Sequence, residues 1–284
     1  MDSANPFLTA DDALREQRYR DSGWWPGEPL LARYLRLSAP RLDALAVADS
    51  RGRELTHAQL QRAAATYARA LVATGVSAGD AVLIAMPNCI EWQAMLLATF
   101  QVEAIPATIP VRTEAANLLH AAELTGARVL VVPEGEAGKG LADIGVEVAQ
   151  RCVHALALIV ISSHGQIRHR MAGQTNPAVK PGHRGLDHIA FTSSTTGRPK
   201  AVMHSCDTLA ALNITFSQRF GLGADVPIFM PSPLGHSVGA YHGARLSLFN
   251  AAALVLQERW DPEAALQMIN KYRCGFTSAA TPFL

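Results

Sequence analysis

The stretch "FTSSTTGRPKAVMHS", Phe191 to Ser205, concentrates hydroxyls, a glycine, a proline and a lysine directly after the apolar lead-in "HIAF". Hydroxyl and backbone N–H groups in a tight turn form a concave set of donors, and a lysine adds a compact positive charge on a flexible stem. Thr192, Ser193, Ser194, Thr195, Thr196, Gly197 and Lys200 are therefore candidate ligands for a polyphosphate. A polar surface loop has the same composition, so the order of the residues has to decide. The Walker A spacing G-x-x-x-x-G-K-[ST] occurs nowhere in the chain, which excludes a P-loop of that kind.

Other constellations compete. "GHSVG" (235–239) fits the G-x-S-x-G nucleophile elbow of α/β-hydrolases and would make Ser237 a nucleophile. That arrangement needs an acid and then a histidine further along. Asp261 or Glu263 would serve as acid, but no histidine follows His242, so the triad does not close in that order. His164, His169, His183 and His188 fall in and beside one polar stretch; no helix sets them on one face and no cysteine joins them, so surface histidines are the simpler account and no metal site is expected. His236 is a candidate functional residue, against which stands a hydrogen-bonded core histidine. Trp24, Trp25, Trp92 and Trp260 read as packing groups.

The elements that must position these residues alternate. "LTHAQLQRAAATYARALVATGV" (55–76) reads as a helix capped by Thr56, with Leu60, Ala64, Tyr67, Ala68 and Leu71 on one face and Gly75 at its end. Short apolar runs at 81–87, 127–133 and 155–161 read as buried strands, 104–110 as extended, and 89–101 and 114–126 as helices. Residues 1–40 look irregular, with "GWWPGEPL" as a loop whose two tryptophans pack on the core. Residues 134–154 carry no clear pattern, and 162–185 reads as a long polar loop. "LDHIAFT" (186–192) is a strand feeding the hydroxyl-rich run, and "AVMH" (201–204) is extended. A helix over 207–220 is expected to be capped by Asp207. Strands follow at 226–234 and 252–257, then a helix over 261–273 with Asp261 as cap and Pro262 in its first turn. Strands alternating with helices predict an α/β chain of mostly parallel sheets flanked by helices.

The 284 residues are 49% hydrophobic and 17% charged, enough apolar material for a buried core. A net charge of +1 gives no electrostatic reason to expect nucleic acid or an anionic membrane. No apolar run reaches membrane-span length, and the first residues are polar and acidic, unlike a secretory signal. The four cysteines, Cys89, Cys152, Cys206 and Cys274, are far apart, which predicts free thiols and a cytoplasmic protein.

The order "TSSTTGRPKAV" resembles the phosphate-binding signature T-S-G-T-T-G-x-P-K-G-V of the adenylate-forming (AMP-binding) superfamily. Thr192, Ser193, Thr195, Thr196, Gly197, Pro199, Lys200 and Val202 match; Ser194 and Ala201 stand where that family has glycine. If position 194 needs a positive φ, serine there costs about 1 kcal/mol. "GVSAGDAVLIAMPNCIEW", "MPSPLGHSVGAYHG" and "WDPEAALQMINKYRCGFTSAATPFL" are similar to further family segments, so the resemblance spans about residues 22–284 and leans toward the acyl-CoA synthetase branch, near cyclohexanecarboxylate and medium-chain ligases.

That resemblance implies a carboxylic acid, ATP, Mg2+ and coenzyme A as ligands, with an acyl-adenylate between ATP and acyl-CoA. It places the phosphates on Thr192, Ser193, Ser194, Thr195, Thr196, Gly197 and Lys200, and the acyl pocket at His236, Ser237 and Gly239. It also implies that 1–284 is the front part of a large domain: an amino-terminal segment (1–75), a first α/β subdomain ending in the phosphate loop (76–205) and the start of a second (206–284). The family's later Y-G-x-T-E and T-G-D segments and its catalytic lysine, carried on a small lid domain, do not occur. The expectation is a chain that does not turn over alone, whose missing part is supplied by a second chain, or else a non-catalytic nucleotide-binding fragment.

Overall fold

The computed structural model describes residues 10–135, 140–171, 185–192 and 198–279. The chain begins with α1 (Ala10–Asp21) and α2 (Leu30–Ser38), followed by β1 (Leu45–Asp49), β2 (Glu54–Thr56) and α3 (His57–Ala73). Then come β3 (Ala81–Ile84), α4 (Ile90–Gln101), β4 (Ile105–Thr108), α5 (Ala115–Thr125), β5 (Val129–Pro133), α6 (Leu141–Arg151), β6 (Ala157–Ile161) and β7 (Ile167–Met171). The hairpin strands β8 (Leu186–Thr192) and β9 (Lys200–Ser205) lead into α7 (Cys206–Phe220) and β10 (Ile228–Met230). A continuous helical segment follows: α8 (Ser237–Gly239), a π-helical stretch (Ala240–Arg245) and α9 (Leu246–Asn250). The described chain closes with β11 (Leu254–Leu256), α10 (Pro262–Tyr272) and β12 (Phe276–Thr277).

The strands form two sheets, ordered β7-β6-β5-β3-β4-β8-β9 and β12-β10-β11-β1-β2. Pairing is parallel except for β7 and β9 at the edges of the first sheet and β2 at the edge of the second. Successive side chains of a strand point to opposite faces, and the first sheet is apolar on both. Val82, Ile84, Val131 and Ile159 join a core shared with the second sheet, while Leu83, Leu130, Val132 and Leu158 pack beneath α5 and α6. Helix α4 lies between the sheets and is buried from Ile90 to Thr99. On the far face of the second sheet, Phe229 and Val255 meet Ala265 of α10.

Local sequence explains many boundaries. Thr56 and Gln59 form a reciprocal capping box at the start of α3, and Gly126 ends α5 in the left-handed conformation. Asp261 accepts from the Glu263 and Ala264 N–H groups at the start of α10, with Pro262 in the first turn.

Several expectations fail. Residues 10–40 are largely helical, because Leu30, Tyr34 and Ser38 recur at a four-residue spacing and bury one face of α2. Trp24 is exposed, and Trp25 packs at a tilt against Tyr19 of α1 with ring centroids 5.2 Å apart. Most of 134–154 is α6, whose Gly145 lets the helix press on β6: a Cβ there would lie 2.8 Å from Leu158 Cδ1. The polar stretch at 162–185 contains β7, which extends the first sheet antiparallel to β6; residues 172–184, with His183, lie outside the described residues. Ser205, not Asp207, caps α7; the Asp207 carboxylate instead accepts from Gly27 N–H and pairs with Arg20. The strands β1 and β2, from the amino-terminal segment, belong to the second sheet, where β1 lies between β11 and β2.

Candidate functional site

Strand β8 is apolar and buried until its last residue, and β9 returns antiparallel beside it. In that register Thr192 lies directly opposite Lys200, and both are exposed. Directly opposed residues of an antiparallel pair project from the same face, with Cβ atoms about 5 Å apart. Ser193, Ser194, Thr195, Thr196 and Gly197, between them, lie outside the described residues. The base of the connection is braced from α5, where His120 Nε2–H donates to the Pro199 carbonyl at 3.2 Å. Ala201, in a position that is glycine in the resembling pattern, sits in the regular ladder opposite Phe191 and has no positive φ, so its side chain is accommodated without backbone strain.

Because β8 runs parallel to β4, Thr192 emerges at the same sheet edge as the segment Ile109–Arg112 that continues β4. This is the carboxyl edge of the parallel strands, where open α/β sheets place their ligand crevices. The second sheet reaches the same edge through the loop after β10. Gly235 allows that loop to touch β4's continuation: a Cβ on it would fall 2.2 Å from the Ile109 carbonyl oxygen. Asn88, buried after β3, donates to the carbonyls of Ser232 and Gln257 and accepts from Leu234 N–H at 2.8 Å. One side chain thus links the segments that follow β3, β10 and β11.

The three residues assigned to an acyl pocket differ in environment. His236 is exposed, Ser237 is half-buried, and Gly239 is buried with its Cα against the Pro233 carbonyl, where a Cβ would approach to 2.2 Å. Ser237 Oγ lies 3.5 Å from His236 Nδ1, but no carboxylate pairs with His236 among the described residues. Ser237 also begins a short helix several residues past β10 rather than occupying a sharp strand-to-helix turn. The geometry of a hydrolase triad is therefore not assembled there. A cleft of about 490 Å³ does open at this edge, lined by segments following β3, β4, β10 and β11, among them Asn88, Pro110, Arg112, Pro231, Arg259 and Trp260. His236, Ser237 and Gly239 are not part of its lining.

Behind the hairpin lies a buried polar group, and it corrects the reading of His188 as a surface histidine. His188 of β8 is fully buried, with Nε2 3.0 Å from Thr108 Oγ1. Its ring meets Tyr241 edge-on at 5.1 Å, and His204 of β9 meets the same tyrosine at 5.0 Å. Burial, then the nearby Arg245 cation, hold both imidazoles below the usual histidine range. Arg245 is itself buried and pairs with Asp187. The group anchors the base of β8 and β9 to the π-helical stretch. Its one sequence signal was alternation: His188 shares a face with the core residue Ala190.

Among the described residues no group of three histidines, cysteines or carboxylates is placed to hold a metal ion, and no helix is long and apolar enough to cross a membrane.

Comparison with known proteins agrees with this fold. Residues 36–284 match the family described as AMP-binding enzyme. The chain is 27% identical over 279 residues to the medium-chain fatty-acid–CoA ligase of Escherichia coli, covering 95% of this chain and 49% of the relative. It is 28% identical to the salicyl-AMP ligase / salicyl-S-ArCP synthetase of Mycobacterium tuberculosis, covering 92% of this chain and 48% of that protein. The chain thus spans about half the length of these curated relatives. Among solved structures, apo MbtA of Mycobacterium smegmatis superposes with a TM-score of 0.77 at 22% identity, covering 97% of this chain and 51% of that one. ATP-bound MatB of Rhodopseudomonas palustris gives 0.68 at 21% identity, covering 86% of this chain and 48% of that one. With the family matched over most of the sequence and the fold shared, this chain belongs to the AMP-binding, adenylate-forming enzymes.

Proposed function

We propose that the chain is the phosphate-binding front part of an ATP-dependent acid–CoA ligase acting on a medium-chain or cyclic carboxylic acid. The observation that carries this reading is the register of β8 and β9, which sets Thr192 and Lys200 opposite one another at the carboxyl edge of the sheet. The Lys200 ammonium and the hydroxyls of Thr192, Ser193, Ser194, Thr195 and Thr196 would hold the β- and γ-phosphates, with Gly197 giving the backbone room to approach. ATP when bound supplies an electrophilic α-phosphorus and a pyrophosphate leaving group, and Mg2+ offsets part of its charge. The protein's contribution is positioning and charge stabilisation, which dominate phosphate transfer. His236, Ser237 and Gly239 belong to the wall for the acid.

The 284 residues contain neither a T-G-D nor a Y-G-x-T-E segment. On this reading residues 1–284 bind nucleotide but do not by themselves turn over. Carboxylate-dependent pyrophosphate release by the pure 284-residue polypeptide would contradict that.

Thermal unfolding with ATP tests the central point. At a hundredfold excess over Kd, binding adds about 2.7 kcal/mol of stability, or roughly 5–10 °C for a chain of this size. Lys200→Ala is expected to weaken ATP binding more than about tenfold, since hydrogen bonds to charged groups contribute about 1.5–3 kcal/mol. Unchanged ATP affinity in that variant removes the ligase assignment.

A further inference from the structure

The strands that carry Thr192 and Lys200 lie at one edge of the first sheet. Among the described residues β9 has no outer neighbour, and β8 pairs with β4 only through Ile189 with Ala107 and Ala190 with Thr108. Their other attachment is the buried polar group behind them. His188 and His204 are directly opposite in the ladder, so both imidazoles project from one face. Both rings meet Tyr241 of the π-helical stretch edge-on, and the Arg245 guanidinium lies close to both while pairing with Asp187 of β8. From the other elements, Thr108 of β4 faces His188 Nε2, and Phe100 of α4 lies 5.2 Å from the guanidinium carbon. Cys206 of α7 lies near the Asp187–Arg245 pair, and Asp207 beside it is already paired with Arg20.

At neutral pH this group holds one cation, Arg245, and one anion, Asp187. Burial keeps the Tyr241 hydroxyl and the Cys206 thiol neutral, the thiol pushed up to about 11. The imidazoles are neutral as well, held low by burial and then by Arg245. Arg245 Nε and Nη1, His188 Nδ1 and Tyr241 Oη have no hydrogen-bond partner among the described residues. A site already short of acceptors has nothing with which to receive a further positive charge. A proton on either ring sets a second cation beside Arg245, and protons on both set three cations around one tyrosine and one carboxylate. Parting the hairpin from the π-helical stretch relieves this, because the rings then reach water.

We infer that His188, His204 and Arg245 form an acid-released latch, which fixes the β8–β9 hairpin to the body of the protein at neutral pH and frees it as the medium acidifies. A ring freed into water regains its ordinary affinity for protons, so the closed hairpin is favoured above about pH 6.5 and the open one gains as pH falls below it. Each released imidazole raises the opening equilibrium about tenfold between about pH 7.5 and 5.5, and the two together about a hundredfold. The latch itself rests on the buried group. Its effect on ATP rests on the ligase reading, which gives the hairpin its phosphates.

Hydrogen exchange of the 284-residue chain at about pH 7.5 and 5.5, corrected for intrinsic exchange rates, reads the latch directly. The opening equilibrium of the β8 and β9 amides is expected to rise about tenfold to a hundredfold at the lower pH, and that of the β3 and β5 amides in the same sheet to change less. His188→Gln and His204→Gln are each expected to remove about tenfold of that rise. His204 is half-buried, so its variant serves where replacement of the fully buried His188 prevents folding. Hairpin exchange that is the same at both pH values overturns the inference. So does a rise that persists in full in both variants, or one shared equally by β3 and β5, which would be general destabilisation. Titration with ATP at the same two pH values is the second arm. The wild type is expected to lose more affinity in acid than His204→Gln, a comparison in which the ionisation of ATP itself cancels, and equal losses overturn the link to nucleotide. A hairpin that opens in acid in a chain that binds no ATP at either pH keeps the latch and removes the ligase reading.

Discussion

Gly235→Ala separates steric contact from every other source of stability, because the wild-type residue has no side chain and no positive φ. The added methyl would lie 2.2 Å from the Ile109 carbonyl oxygen, 2.5 Å from its carbon and 2.7 Å from Pro110 N. Ordinary carbon contacts begin near 3.5 Å, so the shortfall is about 1 Å against three backbone atoms that cannot rotate away. The loop after β10 and the continuation of β4 must move apart. Such shifts cost about 1–3 kcal/mol, and the upper end applies because only backbone is available to yield. At roughly 2–4 °C per kcal/mol for a chain of this length, Tm falls by about 6–12 °C. Gly223→Ala is the control: nothing lies within 4 Å of the point its Cβ would occupy and its φ is not positive, so it is expected to be neutral or to stabilise by less than about 1 kcal/mol. Both are read by circular dichroism melts and by urea midpoints. If Gly235→Ala melts within about 1 °C of Gly223→Ala, the two sheets do not meet through that contact, and the shared carboxyl edge loses its main structural support.

Two further outcomes follow from buried charge. Arg53 bridges Asp49 and Glu91, each at 2.5 Å, and both carboxylates are nearly inaccessible. Arg53→Ala leaves two buried acids unpaired and is expected to cost about 3–5 kcal/mol by urea unfolding at neutral pH, with part recovered in an Asp49→Asn/Glu91→Gln background; a loss below about 1 kcal/mol refutes the bridge. His57 is buried, with Nδ1 2.9 Å from Tyr34 Oη, and burial followed by the Arg41 cation lowers it to about 4. Its folded value lies below the unfolded one, so the neutral imidazole contributes fully above about pH 6.5 and that contribution is lost as pH falls toward 4. His57 alone then removes about 2 kcal/mol between pH 7 and pH 5, and His188 and His204, shifted the same way, add to it. A urea midpoint flat from pH 7 to 5 would contradict these assignments.

The elements legible from sequence were those whose local signal and tertiary role agree. Thr56 and Asp261 are caps by chemistry alone, and the run at 81–87 is apolar enough to be a strand in any context. Helix α6 was illegible for the opposite reason. Gly145 weakens a helix by about 1 kcal/mol relative to alanine, yet packing on Leu158 leaves no room for a side chain, so the feature that hid the helix is the one its neighbour requires. Strand β7 was read as loop because its residues are polar and charged; it is an edge strand, where polarity is normal. Thr192 and Lys200 stand out as candidates by residue order alone, but the cleft does not. Arg112 is separated from Arg259 and Trp260 by more than a hundred residues of chain, and they meet only through the packing of two sheets. His188 reads as a surface histidine in the sequence and Arg245 does not stand out there, because a polar group acquires meaning from what buries it, and that partner lies on a distant helix.

The position of β1 bears on how the molecule is made. Val47, Ala48 and Asp49 find their parallel partners in Leu254, Val255 and Leu256, roughly two hundred residues later, and such distant pairings slow folding through the entropy of loop closure. During synthesis β1 must therefore wait, with its apolar face unsheathed, until residue 256 has left the ribosome. Nascent chains arrested before residue 256 would carry one finished sheet and one half-built one, which makes that interval the period of greatest exposure to aggregation and to chaperone capture.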